Sequence, residues 1–413
     1  MTEQIRVIRT ERIWLKPTNQ LRHLCYISKN LFNEANYLVR QAFFNEKKWI
    51  RLSQLQQELL ASSNFQQLTV PTAQMVLQLV DKAWKSFFAA SADWKVHPEK
   101  YFQQPRIPKY KPKNGQFLLA FKKNQITFSN GVLLLPQITG VQVKLRQASP
   151  SSLISVRIIP KGVGYVVELI YSKYVPSIPK YAPLHIVGID IGLTNLITMV
   201  NNIGKKPIAI KGGVVKSINH YYNKERARLH SIYTKQSIKI GKKMKKIIAK
   251  REKKIDSYFH EASRYIINWC KKNDIDTVVI GLNKNWKQQI DLGKRVNQNF
   301  VSVPFDRLIQ MIHYKAQDEG IRFIQTREDY TSKCSFLDGD LIKRQGSYSG
   351  ERISRGLFCS KNGIIINSDV NGAYNIIKKA VPNAFSRWET ADGIEGVWLH
   401  PIRLEAIGQP ITC

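Results

Sequence analysis

Apolar positions in the first hundred residues recur every three or four places, the period of a helix buried along one side. Leu21, Leu24, Ile27, Leu31, Ala35, Leu38 and Ala42 form one such stripe and predict a long helix over 20–44. A shorter helix is predicted over 53–62. Another runs over 70–90, opened by Pro71 and striped by Val76, Leu79, Val80, Ala83, Trp84, Phe87 and Phe88. These stripes read as helix-bundle core, which leaves any contact with a partner to the polar faces. Before them, residues 5–14 alternate loosely and read as a strand, broken by Pro17. After them, 101–113 (YFQQPRIPKYKPK) interleaves proline, basic and aromatic residues and reads as an extended surface segment. Short strand-like runs follow at 116–121, 125–128, 132–135, 141–145, 154–159 and 165–172, with Gly162 and Gly164 turning the last hairpin. They predict a small β-barrel that strand 5–14 joins, with the helices of 19–98 inserted into it. Residues 176–183 read as a linker.

The second half alternates buried strands with helices. Residues 185–200 (HIVGIDIGLTNLITMV) read as strand, tight turn and strand, and strand character continues over 207–215. Residues 219–272 are strongly helical, with Ile240, Met244, Ile247, Ile248, Ile255, Phe259, Ala262, Ile266 and Trp269 on one face. DTVVIG at 276–281 is a third buried strand. A polar, basic, irregular stretch over 282–300 precedes a helix at 304–319 and a strand at 321–325. Residues 333–363 are loop-rich, and 364–369 lead into a helix over 370–379 that Pro382 stops. Trp388, Trp398 and the run 397–404 imply packing in the tail.

Charge changes this picture. The 413 residues carry 64 Lys+Arg against 30 Asp+Glu, a net +34, which points to a polyanionic partner, naturally nucleic acid. Residues 224–254 hold thirteen Lys or Arg and two Glu (13 − 2 = +11). Like charges at i,i+4 repel, and a bound phosphate backbone relieves that repulsion while releasing counterions. Lys242, Lys243, Lys245, Lys246, Lys250 and Arg251 are the contacts expected there. Lys109 and Lys111 are expected to track a backbone in the proline-rich segment, whose aromatics stack on bases. No signal peptide and no long apolar run stand out, so the expectation is a soluble cytoplasmic, nucleoid-associated protein with no membrane partner. Five scattered cysteines argue against a disulfide framework.

The chemistry centres on Asp190. A carboxylate in an apolar strand is costly unless something pairs with it or binds it, and a hard cation does so. Asp190 can equally cap its turn. The layout resembles the first strand of a ribonuclease-H-like nuclease core, and Asp-x-Gly-x-Thr-Asn also resembles the phosphate loop of actin-like sugar kinases. Asp369, at the start of a helix, can cap that helix or face Asp190 across a shared metal. Glu328 lies just past a strand end.

Three motifs in order, GIDIGLTN at 188–195, YTSKCS at 330–335 and NSDVNGAYNI at 367–376, resemble the TnpB proteins. These are transposon-encoded RNA-guided DNA endonucleases, regarded as ancestors of the type V CRISPR effectors. The likeness runs from about residue 20 to Pro382, and its most specific piece, Asp-Val-Asn-Gly-Ala-x-Asn-Ile, makes the kinase reading a poor fit. It implies an α/β multidomain fold. A β-barrel wedge domain would occupy 1–18 and 99–179, and a helical recognition domain 19–98. A RuvC-like (RNase H-like) nuclease core would occupy 180–328 and 364–382, with a small zinc-ribbon-like, target-nucleic-acid-binding insertion at 329–363 and a tail at 383–413. It also implies a guide RNA from the transposon end, double-stranded target DNA beside a short adjacent motif, Mg²⁺-dependent cleavage, and a monomer carrying one RNA. In this class base pairing reads the sequence, and the protein holds the heteroduplex by its backbone.

Two departures from the family pattern matter. The second of three acidic residues is normally a Glu ending the strand at 276–281, where this chain has Gly281. Asp291 is the nearest acid downstream, but Glu328 is the better substitute, beside a strand end. The site expected is therefore Asp190, Glu328 and Asp369, hard oxygen donors suited to Mg²⁺ or Mn²⁺ and to two-metal phosphodiester hydrolysis. Gly281 also keeps open the alternative of a cleavage-inactive, RNA-guided DNA-binding protein of repressor type. Second, the insertion has Cys334 and Cys359 but Leu337 and Asn362 where their zinc-binding partners belong. Two thiolates make a poor zinc site, so no structural zinc is expected. Phe336, Leu337, Ile342, Tyr348, Ile353 and Phe358 would hold the insertion by packing, and Arg352 and Arg355 are candidates to contact DNA.

Overall fold

The Thr18 hydroxyl accepts the Leu21 N–H at 3.1 Å and starts the long helix α1 (Asn19–Asn45). The computed structural model describes residues 3–46, 48–237, 240–282, 303–390 and 393–404. Arg6–Lys173 forms one unit and the rest of the described chain a second.

In the first unit, α1 buries Leu21, Leu24, Ile27, Leu31, Ala35 and Ala42, with Val39 rather than Leu38 at the fifth turn. It packs with α2 (Leu52–Leu59), α3 (Ser63–Gln66) and α4 (Val70–Val96). The indole of Trp84, fully buried on α4, donates to Asn36 Oδ1 at 2.9 Å, so the largest core side chain keeps its polar atom satisfied. The strands are β1 (Gln4–Leu15), β2 (Leu119–Lys122), β3 (Thr127–Ser129), β4 (Val132–Leu134), β5 (Gln142–Lys144), β6 (Leu153–Lys161) and β7 (Gly164–Pro176). The expected barrel is not closed by hydrogen bonds among the described residues. A four-stranded sheet in the order β1-β7-β6-β2 and a separate sheet β3-β4-β5 share one core with α1 and α4. The proline-rich segment is laid along α1. Asn33 exchanges hydrogen bonds with the Lys111 backbone (2.9 and 2.7 Å), and Arg40 donates to Pro108 O at 3.0 Å.

The second unit is built on β8 (Ile186–Asp190), β9 (Asn195–Asn201), β10 (Ile208–Lys211), β11 (Thr277–Gly281) and β12 (Arg322–Thr326). The order is β12-β11-β8-β9-β10, with β9 antiparallel to its neighbours and β11 and β12 parallel to β8 and β11 respectively. Strand 207–215 is shorter than its apolar pattern predicts, because helix α5 (Gly213–Lys235) begins at once after Gly212. It packs beside α6 (Lys242–Lys272), and α7 (Phe305–Asp318) follows β11. Both faces of the sheet are covered, which is why its strands read as nearly unbroken apolar runs. Val187, Ile189, Ile197, Met199, Val278 and Ile280 face α6 and α7. Ile186, Val200 and Val279 face α8 (Ser368–Ala380).

The insertion carries β13 (Glu351–Ser354) and β14 (Leu357–Cys359), continued by β15 (Ile365–Asn367) in one antiparallel sheet. The described part of the tail is integral to this unit. After β16 (Glu389–Thr390) and β17 (Gly393–Ile394), β18 (Ile402–Leu404) adds a parallel sixth strand beside β10. The Trp398 indole donates to Gly204 O at 2.9 Å.

Candidate metal and nucleic-acid site

Asp190 is the last residue of β8, so the strand carries its carboxylate to the sheet edge where β11 ends. The parallel register pairs Ile189 with Ile280, which sets Gly281 beside Asp190. Gly188 brings in the third element. A side chain there would collide with Ile377 and stand 2.6 Å from Ala373 O, so only glycine lets α8 lie this close on β8. The start of α8 is thereby brought over the strand end. Asn367 caps that helix, its Oδ1 accepting from Asp369 N at 3.1 Å and Val370 N at 3.2 Å. The cap that sequence allowed Asp369 is thus filled by its neighbour, and the Asp369 carboxylate is left to the pocket. Gly372, one turn on, lies against the same carboxylate: a Cβ there would be in ordinary contact with Asp190 Oδ2 at 3.5 Å.

Glu328, two residues beyond β12, reaches into the space over Gly281. A Cβ at 281 would meet Glu328 Cγ at 2.5 Å and Oε1 at 2.7 Å. Asp190, Glu328 and Asp369 line one pocket with Thr331, Ser332, Arg352, Ser368 and Gly372. Burial pushes the Asp190 carboxyl well above the usual carboxylate range, and the charges of Glu328 and Asp369 push it the same way; Arg352 opposes them. Burial, with the charge of Asp329 added, raises Glu328 to about 7. Among the described residues, no three His, Cys, Asp or Glu side chains stand close enough to close on a single ion as they lie. The donor set nonetheless fits a hard divalent cation: three carboxylates, one pocket, and like charges that a cation offsets.

Asparagines fasten this arrangement. Asn195 Nδ2 donates to Asp369 Oδ2 at 2.8 Å. From α8, Asn371 and Asn375 both donate to Cys334 O (2.9 and 2.8 Å), Asn375 also to Thr331 O (2.9 Å), and Asn371 Oδ1 accepts Phe336 N–H (2.9 Å). The polar letters of DVNGAYNI therefore tie the loop after Glu328 to the helix that carries Asp369.

The predicted basic contacts fall into distinct settings. Arg352 donates to Ser368 Oγ and Arg355 to Thr194 Oγ1, each at 3.1 Å. Lys242, Lys243, Lys245, Lys246 and Lys250 are exposed along α6. Arg251 instead turns inward, donating to Asn219 Oδ1 at 2.6 Å over the Tyr222 ring. In the first unit Lys109 is exposed, whereas the Lys111 ammonium sits over the rings of Phe32 and Phe117 at 4.5 and 4.9 Å. Asp291 and most of the 282–300 stretch lie outside the described residues. Sequence reasoning missed Asn195, whose role depends on its contact with Asp369, far along the chain; the only local signal was the Thr-Asn pair following the β8 turn.

In the insertion Cys334 is fully buried, its Sγ 3.4 Å from Leu341 O, and burial raises its thiol. Asp340 closes the knuckle around it, accepting from Ser335 N (2.8 Å) and Ser349 Oγ (2.6 Å). Phe336, Leu337, Phe358 and Ile366 are buried, while Ile353, expected in this core, is exposed. The three that belong to the insertion, Phe336, Leu337 and Phe358, contribute about 4.5–9 kcal/mol at about 1.5–3 kcal/mol each.

Comparison with known proteins adds an independent line. A family model described as OrfB_IS605, probable transposase, matches residues 169–287, and a Cas12f1-like TNB domain model matches 305–376. A TnpB-like protein of Acidianus two-tailed virus is 23% identical over 88% of this chain and 83% of its own length. A CRISPR-associated endodeoxyribonuclease, Cas12f2, of a Micrarchaeota archaeon is 28% identical over 53% of this chain, which spans 41% of that larger protein. A solved Cas12f1 chain, from a complex with guide RNA and target DNA, superposes with TM-score 0.49 at 14% identity, covering 86% of this chain and 81% of that one. The two family models lie in succession across the unit that holds the carboxylate pocket, and a TnpB-like relative aligns over most of the length, so the comparisons support a likeness to the TnpB family.

Proposed function

We propose that this protein is an RNA-guided DNA endonuclease of an insertion-sequence transposon that cuts DNA beside a short adjacent motif with the help of Mg²⁺ or Mn²⁺. The observation that carries this reading is the convergence of Asp190, Glu328 and Asp369, from three distant parts of the chain, on one pocket. The mixed sheet with a carboxylate ending its first strand supports a RuvC-like, RNase H-like core. The net +34 and the exposed lysines of α6 support guide RNA and target DNA as partners.

Asp190, Glu328 and Asp369 would hold the divalent ions through carboxylate oxygens. When bound, such ions supply the Lewis-acid charge that activates a water and offsets charge on the departing 3′ oxygen. The chain's own part is positional. Asn195 orients the Asp369 carboxylate through its 2.8 Å hydrogen bond. Arg352, on the pocket wall, offers a cation to a phosphate oxygen. Asn371 and Asn375 hold the loop that follows Glu328, so Glu328 enters on a braced segment.

The alternative, a guided binder that no longer cuts, draws support from Gly281 and from the absence of a closed three-residue metal group among the described residues. Glu328 occupying the space above Gly281 argues the other way. The insertion is proposed to fold without zinc, because Leu337 is buried where a ligand belongs and Asp340 satisfies the knuckle. One tightly held zinc per chain in elemental analysis would overturn that.

The deciding experiment is plasmid cleavage. The protein, co-expressed with the DNA flanking its gene, is given Mg²⁺ and a target library. Cutting by wild type and not by Asp190→Ala or Glu328→Ala is the expected result. Target binding without cutting by all three would select the guided binder.

A further inference from the structure

Two cations of the second unit converge on a single hydroxyl beside the carboxylate pocket. Thr194 Oγ1 accepts from Arg355 at 3.1 Å and from Lys216 Nζ at 3.5 Å. Lys216 stands on the first turn of α5, and Arg355 on the turn between β13 and β14. Neither has a carboxylate within ion-pair distance among the described residues. Like charges brought this close repel, and one neutral hydroxyl does not offset them. Consistent with that, burial and the neighbouring Arg355 both depress the Lys216 ammonium.

The arrangement is rigidly tied to the pocket. Thr194 precedes Asn195, which holds Asp369. The turn bearing Arg355 is pinned to the start of α8, where Gly356 O accepts from Ser368 N at 3.0 Å and from Asn367 Nδ2 at 3.2 Å. A strand whose scissile phosphate lay against the three carboxylates could set a neighbouring phosphate at this rim, where two cationic donors and a hydroxyl match a phosphodiester's two non-bridging oxygens.

We infer that Lys216, Arg355 and Thr194 form a clamp for a phosphate flanking the scissile one, positioning the strand to be cut. The inference rests on the nuclease reading for the identity of that strand but concerns separate residues, whose phosphate contact can be read without cleavage.

The first arm therefore needs no activity. Lysine acylation read by mass spectrometry is run on the full-length Asp190→Ala protein with and without a single-stranded oligodeoxythymidine. Lys216 is expected to be protected at least threefold by the oligonucleotide, and the protection is expected to fall in an Arg355→Gln background. Equal Lys216 acylation with and without the strand overturns the clamp, whether or not the wild type cuts. The second arm uses single-turnover cleavage of targets carrying one methylphosphonate at successive positions. Lys216→Gln is expected to slow wild-type cutting about tenfold. A methylphosphonate at one flanking position is expected to cost wild type about as much, yet leave Lys216→Gln nearly unaffected. Additive losses at every position would mean that Lys216 touches no particular phosphate and would overturn the clamp. Protection of Lys216 without cutting by wild type would keep the clamp and reject the nuclease.

Discussion

Glu168 and Asp190 are both carboxylates in apolar strands, one in each unit, and their surroundings are opposite. Glu168 is 5% exposed on β7, and its two oxygens receive Arg12 at 2.9 Å and Arg157 at 2.7 Å. Glu11 is treated alike, accepting the backbone N–H groups of Arg146, Gln147 and Ala148 at 2.9–3.1 Å. Asp190 instead has Glu328 and Asp369 as its strongest charged neighbours, with Arg352 the lesser, opposing influence. A buried acid matched by donors is an internal tie. Half-buried acids facing one another are a cost to the fold that makes sense when something positive is to be bound. Lys315 on α7 shows a third solution. It is 3% exposed, donates to His260 O and Ser263 Oγ at 2.8 and 2.7 Å, and is held at about 8 because burial, aided by Arg264, disfavours its charge.

The comparison is most severely tested by neutralising each acid. Asp190→Asn is expected to lower guided cleavage by at least about 10³-fold, as for other groups that act as a unit, while its melting temperature stays level or rises. A cleavage rate within tenfold of wild type, or a lower melting temperature, would put Asp190 with Glu168. Next comes the exchange of acids across the β11–β12 edge. Gly281→Glu alone is expected to impair cutting and stability, because the new side chain meets Glu328 at 2.5 Å. Combined with Glu328→Ala, which leaves only the tip of the Ile376 side chain (2.6 Å from a Cβ at 281) to shift, it is expected to restore cleavage well above Glu328→Ala alone. No gain in the double variant would show that Glu328 does not stand in for an acid at 281.

A smaller effect is expected from Glu168→Gln, whose amide oxygen still accepts from one guanidinium while its NH2 turns a donor on the other. Chemical denaturation should show a loss of about 1–3 kcal/mol with the cleavage rate per folded molecule unchanged. A pH effect of similar size completes the comparison. The native Lys315 loses its proton near 8, against 10.5 ordinarily, so between those values the unfolded chain holds more protons and stability rises with pH. The cost of the buried charge is thus fully present below about pH 8 and relieved toward 10.5. The stability of wild type relative to Lys315→Met should therefore increase across that window, and a flat difference would refute the assignment.

Much of this was legible before any coordinates. The period of apolar residues marked α1, α4 and α6, and the unbroken apolar runs marked β8, β9 and β11. Errors fell where neighbours in space decide. The 207–215 run reads as strand throughout, yet Gly212 fits only because it lacks a Cβ that would strike Leu193 O, and there the chain turns into α5. The barrel was inferred from a succession of short strands, whereas their pairing sorts them into two sheets. Lys111 and Arg251 are candidate nucleic-acid contacts by sequence, and the structure adds to each an aromatic or amide partner distant in the chain.

The site divides the same way. Sequence by itself determined the acid at the end of β8, the motif around Asp369, the gap at Gly281 and the basic character of α6, because composition and periodicity are local properties. Sequence also offers Glu328 as the substitute; only the tertiary structure decided that its side chain stands over Gly281, that Asn367 rather than Asp369 caps α8, and that Lys216 and Arg355 meet at Thr194. The physical reason is that these outcomes depend on how closely two backbones approach. A missing Cβ at Gly188 sets that distance for α8, and no pattern along the chain reports it.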